Sequence, residues 1–244
     1  MNLNDFLLKQ REIKADMRRV EREESRVTGI RPDPGLIGRR GGFYLSLINE
    51  PEITEKAAAF SAKVGALTPA MVYSAADIHT TAGWITESVK EHFYFDPTSP
   101  EHRNSLEALI TIAYEISRVV RTCQCEVDFC YRLNLIPTGI LAVGKPNQDI
   151  IDVANLVVDR GTRLGVKMSP PRVIHASLTR FTKARQPEEL SEIFQLLEDE
   201  PPLGPSRPIG IAAGYTLRNE SERFVEDLRE TPGHFRSVKF FPFE

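Results

Sequence analysis

Two of the five histidines stand in matching settings. His79 follows Ile78 and is followed at the second position by Thr81; His175 follows Ile174 and is followed at the second position by Ser177. In a strand, residues two apart face the same way, so each imidazole would project with its hydroxyl from one sheet face while Ile78 and Ile174 point to the other. Imidazole titrates near neutrality. Of two histidines flanking one centre, one can therefore act as general base while the other, protonated, acts as general acid. The hydroxyls of Thr81 and Ser177 can donate to the non-bridging oxygens of an anion held between them. That set suits in-line displacement at phosphorus, with no metal and no cofactor required. A single His-x-Ser/Thr is commonplace, and a strand histidine is more often structural. Two such motifs in matching strands, separated by about half the chain, give the pair its weight.

The elements that must carry these residues alternate along the chain. Phe43 to Ile48 reads as a strand, Glu52 to Gly65 as a helix, and Met71 to Trp84 as a strand or hairpin arm bearing His79. Leu106 to Thr122 has helical spacing; Cys125 to Leu135 and Gly139 to Gly144 read as strands. A helix from Asp149 to Leu164 follows, with Asn147 as its cap, then a strand from Val173 to Phe181 bearing His175. Pro187 to Glu198 reads as a helix, and Ile209 to Leu217 and Val238 to Phe241 as closing strands. Strand, helix and histidine-bearing strand thus succeed one another around 43–84 and again around 139–181, the pattern of an internal duplication. Ahead of them, Asn4 to Ser25 spaces Phe6, Leu7, Ile13, Met17 and Val20 as an amphipathic helix. Gly29 to Gly42, with Pro32, Pro34 and five glycines, reads as a linker. The expected division is 1–42 for the helix and linker and 43–244 for the main body.

His79-Thr80-Thr81 and, more specifically, His175-Ala176-Ser177-Leu178-Thr179-Arg180-Phe181 resemble the paired His-x-[Ser/Thr] motifs of the two-histidine phosphoesterase superfamily, which includes the LigT-like RNA 2′,3′-cyclic phosphodiesterases. The resemblance spans roughly residues 40 to 244. After the first motif, Ala82-Gly83-Trp84 stands where an apolar run is commoner, and the leading helix and linker have no counterpart in the family pattern. The resemblance implies an α+β fold of two pseudo-symmetric lobes, antiparallel sheets lining a central groove and helices outside. It implies hydrolysis of a 2′,3′-cyclic phosphate or a related nucleotide or RNA phosphodiester, with His79 and His175 as acid and base and Thr81 and Ser177 on the phosphate. Hydrolysis of 2′-5′-linked or cyclic signalling oligonucleotides is the alternative, and a nucleotide-binding module without turnover is the alternative of another class. Which histidine is the base depends on substrate orientation.

Four further positions are weaker candidates for substrate contact. Arg40 precedes a Gly-Gly pair and could approach a phosphate; Tyr44 and Phe181 could stack on a base. Thr179 and Phe181 share the alternation of His175 and Ser177 in a regular strand, which would put them in the groove and turn Arg180 away. Asp77 could orient the His79 ring. His92, His102 and His234 read as surface residues, and Cys123, Cys125 and Cys130 as buried thiols, since C-x-C-x₄-C lacks the spacing of a zinc site.

With 31 Lys+Arg against 34 Asp+Glu the net charge is −3, which gives no overall surplus for coating a long duplex nucleic acid. A nucleotide or a terminal RNA phosphodiester is the expected partner, and a protein partner could dock on the amino-terminal helix. No apolar run reaches the roughly 20 residues of a membrane span, and few cysteines suit a reducing compartment, so a cytoplasmic location is expected. Walker, GxGxxG, HExxH and nucleophile-elbow motifs are absent.

Overall fold

The computed structural model of the chain describes residues 1–33, 41–89, 96–120, 124–216 and 235–243. Its first helix, α1 (Leu3–Val20), is capped by Asn2, whose side-chain oxygen accepts from the Asp5 amide. The helix continues through a π turn, Glu21–Ser25, and a last turn, Arg26–Thr28, before Gly29 adopts a left-handed φ of 81° and ends it. The face that α1 buries is largely polar. Phe6, Gln10 and Lys14 are buried, then Glu21 and Ser25, while the expected apolar stripe of Leu7, Ile13, Met17 and Val20 is only half-buried. Specific bonds explain this choice: the Gln10 side chain donates to Gly144 O and accepts from Ile174 N, both at 2.8 Å.

The body alternates strands and helices. β1 (Gly42–Ile48), α2 (Pro51–Leu67), β2 (Ala70–Val72) and β3 (His79–Ile85) come first, then α3 (Pro100–Val120) and β4 (Val127–Phe129). β5 (Asn134–Ile136), β6 (Gly139–Val143), β7 (Lys145–Pro146), α4 (Gln148–Arg163), β8 (Met168–Ser169) and β9 (His175–Phe181) follow. The chain closes with α5 (Ser191–Asp199), preceded by a 3-10 turn, β10 (Gly204–Ser206), β11 (Gly210–Thr216) and β12 (Phe235–Pro242). Asn147 caps α4 as its position predicts, accepting from Ile150 N. The expected strand 71–84 is instead two strands. Between them the Asp77 carboxylate accepts from both the backbone N–H and the hydroxyl of Ser74, and this turn breaks the run.

The fold is α+β, with antiparallel sheets and helices packed outside them. One sheet runs β12-β11-β1-β3-β9-β6-β5, with β2 added to β9 and β8 added to β3; β10-β4-β7 form a small second sheet. The succession β1-α2-β2-β3 is repeated by β6-α4-β8-β9. In each, the outer strands pair with each other, and the short strand leaves to pair with the histidine strand of the other repeat. The helices cross in the same way: α2 packs on β2 and β9, and α4 on β8 and β3. The two histidine strands are direct neighbours in one sheet, meeting at the single pair Thr80 and Ala176.

The core fills the other face. Phe43, Leu45 and Leu47 of β1 lie within a cluster that includes Leu109, Ile112, Ala113 and Ile116 of α3, spaced to present one face of that helix. Among the described residues no helix is long and apolar enough to cross a membrane.

Candidate active site

β3 and β9 carry the same exposure pattern residue for residue, and the reason is a matched irregularity. Opposite β1, Thr81 pairs with Ser46 but Gly83 with Leu45, leaving Ala82 as an extra residue. Opposite β6, Ser177 pairs with Leu141 but Thr179 with Ile140, leaving Leu178 extra. Each bulge thus falls three residues after its histidine. Ser61 of α2 holds the second one, donating to Leu178 O while accepting from Tyr73 N. A bulge inverts the alternation beyond it. His79 and Thr81, like His175 and Ser177, therefore share one partly open face with the residue five positions after each histidine: Trp84 in β3 and Arg180 in β9.

This corrects the expectation for β9. Thr179 and Phe181 are fully buried on the opposite face, and the bulge at Leu178 brings Arg180 to the groove instead. Tyr44 is half-buried on β1 opposite Trp84; burial pushes its hydroxyl up, opposed by a hydrogen bond from Thr216 and by the positive charge of Arg180. Arg40 lies outside the described residues, as do His92, His234 and Cys123. Cys125 is buried, whereas Cys130 is exposed.

The structure brings the four motif residues together. With Thr80 opposite Ala176 in an antiparallel ladder, His79 falls beside Ser177 and Thr81 beside His175. Each ring is oriented by the carbonyl two residues before it: His79 Nδ1 lies 2.7 Å from Asp77 O, and His175 Nδ1 lies 3.1 Å from Val173 O. A carbonyl only accepts, so Nδ1 carries the proton in both rings and the Nε2 lone pair is left for chemistry. The Asp77 backbone orients His79; its carboxylate is engaged with Ser74. Phe235 of β12 leans on the other side of His79, ring centres 4.9 Å apart.

Arg180 brings a positive charge to the site. Its Nε donates to the Tyr73 hydroxyl at 2.9 Å and its Nη1 to Asp33 Oδ2 at 2.6 Å. Burial opposes the charged form, but Tyr73 and Asp33 outweigh it and hold the guanidinium above its ordinary range. Burial, His175 and Arg180 bring His79 down to about 4, against the bond to Asp77 O. His175 is lowered by burial and by Arg180, against the bond to Val173 O. Both imidazoles are therefore neutral in the free protein at neutral pH, beside a guanidinium that is itself paired with the Asp33 carboxylate. An anion placed there would meet two Nε2 atoms, two hydroxyls and a guanidinium.

Among the described residues no group of three or more His, Cys, Asp or Glu side chains is placed to hold a metal ion. Arg180, Trp84, Tyr73 and Phe235 are the residues that sequence reasoning misses. For Arg180 and Trp84 a signal exists, because each stands five residues after a motif histidine, yet a regular strand assigns both to the wrong face.

No family model matches the sequence, and no curated protein does. Among solved structures the chain is similar to E. coli LigT complexed with phosphate, with a TM-score of 0.42 and 14% identity over 84% of this chain and 98% of that one. E. coli LigT complexed with 3′-AMP gives 0.41 and 16% identity over 83% and 98%. A conserved protein of unknown function, ATU0111 from Agrobacterium tumefaciens str. C58, gives 0.48 and 14% identity over 93% and 99%.

Proposed function

We propose that this chain is a metal-independent phosphodiesterase that hydrolyses a 2′,3′-cyclic phosphate or a related nucleotide or RNA phosphodiester. In this reading β1-α2-β2-β3 and β6-α4-β8-β9 build two pseudo-symmetric lobes about the groove. One observation carries it: two imidazoles in the same tautomer, each ring fixed by the carbonyl two residues before it, flank a centre that also holds two hydroxyls and an arginine.

The phosphate monoanion binds to Arg180 and accepts from Thr81 and Ser177. Its negative charge offsets Arg180 and raises the affinity of one histidine for a proton. That histidine becomes the acid. The other takes a proton from water through Nε2 as the water oxygen attacks phosphorus. The P–O bond opposite breaks, and the protonated histidine delivers its proton to the departing ribose oxygen. The protons balance without a metal, and reversing the substrate exchanges the two roles. Trp84, Tyr44 and Phe235 offer aromatic surface to a base.

The test is turnover in EDTA on 2′,3′-cyclic mononucleotides, 2′-5′ oligonucleotides and RNA with cyclic-phosphate ends. Wild-type turnover that vanishes in His79→Gln and His175→Gln supports the reading and names the substrate. Binding without turnover on every substrate would replace it with a nucleotide-binding module.

A further inference from the structure

The amino-terminal helix buries a cation for which the described structure provides no anion. Lys14 is 8% exposed, and its Nζ rests 2.9 Å from the centre of the Tyr131 ring. None of its three N–H groups has a hydrogen-bond acceptor among the described residues. Burial first, and then Arg18, bring it down to about 8. It lines a groove of about 580 Å³ between α1 and the segment carrying Tyr131 and Lys145, whose other cations are Arg11, Arg18 and Arg22. A second groove of about 690 Å³ continues from the shared Arg18 and Arg22 to Arg26 and Arg132. Neither is lined by His79 or His175.

Sequence spacing creates the stripe. Arg11, Lys14, Arg18, Arg22 and Arg26 recur at three- and four-residue steps, so one helix face presents them over roughly 22 Å at about 1.5 Å per residue. Arg26 pairs with Glu198, and Arg132 with the buried Glu21. Arg11, Arg18, Arg22 and Lys145 are exposed and have no ion-pair partner among the described residues. In a chain of net charge −3, this concentration of positive charge on one face, set against the buried carboxylate of Glu21, is a local device.

We propose that this groove binds the phosphate backbone of a single-stranded RNA whose reactive end lies at the histidines. The proposal rests on the phosphodiesterase reading for its choice of polymer. Arginine forks match phosphate oxygens, and an aromatic ring set among cations is the composition of a sequence-tolerant single-strand site. Both ends of the segment are tied to the catalytic strand. Gln10 accepts from Ile174 N, next to His175, and Asp33, beyond the helix, pairs with Arg180. On this proposal a strand whose end lies at the histidines is held along α1, and the substrate class narrows to RNA ends rather than free mononucleotides.

Fluorescence anisotropy of a labelled single-stranded oligouridylate against full-length His175→Gln protein tests this without turnover. The expected result is binding far tighter than that of uridine monophosphate, with a salt slope that falls by roughly 0.7 for each phosphate that a variant no longer neutralises. Arg11→Gln, Arg18→Gln, Arg22→Gln and Lys145→Gln combined should weaken RNA binding by on the order of tenfold or more, as charge neutralisation predicts. In the wild-type background the same four substitutions should leave turnover of a cyclic mononucleotide unchanged. Lys14→Met, which keeps the packing on Tyr131, should also weaken the RNA. An unchanged affinity and slope in the combined variant overturns the proposal. So does equal displacement by poly-glutamate, which would make the groove a dock for an acidic protein. If RNA binds through these residues but no phosphodiester is cleaved by wild type, the catalytic reading fails and the groove stands.

Discussion

Proton affinity at two nitrogens decides what this site can do. His79 titrates at about 4 in the folded protein and near 6.5 when unfolded, so between those values the unfolded chain binds the additional proton. Stability therefore rises with pH across that window and is lost as pH falls toward 4. His79→Gln removes this dependence: the melting-temperature difference between it and wild type should vary between pH 4 and 6.5 and be flat above. Catalysis should show the complementary shift. The profile of kcat/KM reports the free protein, with both imidazoles depressed, and that of kcat reports the complex, in which bound phosphate opposes Arg180. The kcat bell should lie at higher pH, and coincident bells would remove the phosphate from this role. Either histidine replaced by Gln should lower kcat by about 10² to 10⁴ if it is an acid or base. Arg180→Lys keeps a charge but loses the fork that holds Tyr73 and Asp33 together, so kcat/KM should fall even though the charge remains. The histidine pair is legible in the sequence because the same hydroxyl offset occurs twice. Arg180 is not, because the two-residue period holds only as far as the bulge.

At the scale of elements, the bulges and α1 carry the consequences. A Cβ on Gly139 would run into Thr179 O beside the bulge in β9, so Gly139→Ala should force the strands apart and turn Ser177 and Arg180 out of register. The expected signature is a fall in kcat/KM together with a lower melting temperature. Gln10→Ala strands Gly144 O and Ile174 N in the interior, at about 1–3 kcal/mol for each group left unsatisfied, read as a shift in the denaturant midpoint. Long helices such as α3 and α4 are legible from periodicity and caps. Short strands such as β2 and β8 are not, since two or three residues carry no period, and their partners lie in the other repeat. The polar buried face of α1 is equally invisible to a search for apolar stripes, because Gln10 is buried for its bonds and Glu21 for its pairing with Arg132.

Across the whole molecule, the exchanged strands make one cooperative unit of the sheet. Thr80 and Ala176, paired at the centre, are buried and lie far apart in sequence. Their amides should exchange hydrogen only on global unfolding, along with those of Leu45 and Ala142, while the exposed β12 exchanges faster. A duplicated succession is legible along the chain, but the interlock is a property of three dimensions.

That sheet order also bears on synthesis. β1 leaves the ribosome some 160 residues ahead of one of its two neighbours, β11, which spans Gly210–Thr216, and it carries the apolar Phe43, Leu45 and Leu47. Until those residues emerge, one edge of β1 has no strand to pair with, and a nascent chain that stalls before residue 210 presents a long apolar edge to other chains. The emergence of β11 is thus what protects this edge of β1 from self-association, and products truncated before residue 210 should partition to chaperones or aggregates even when they contain both histidines.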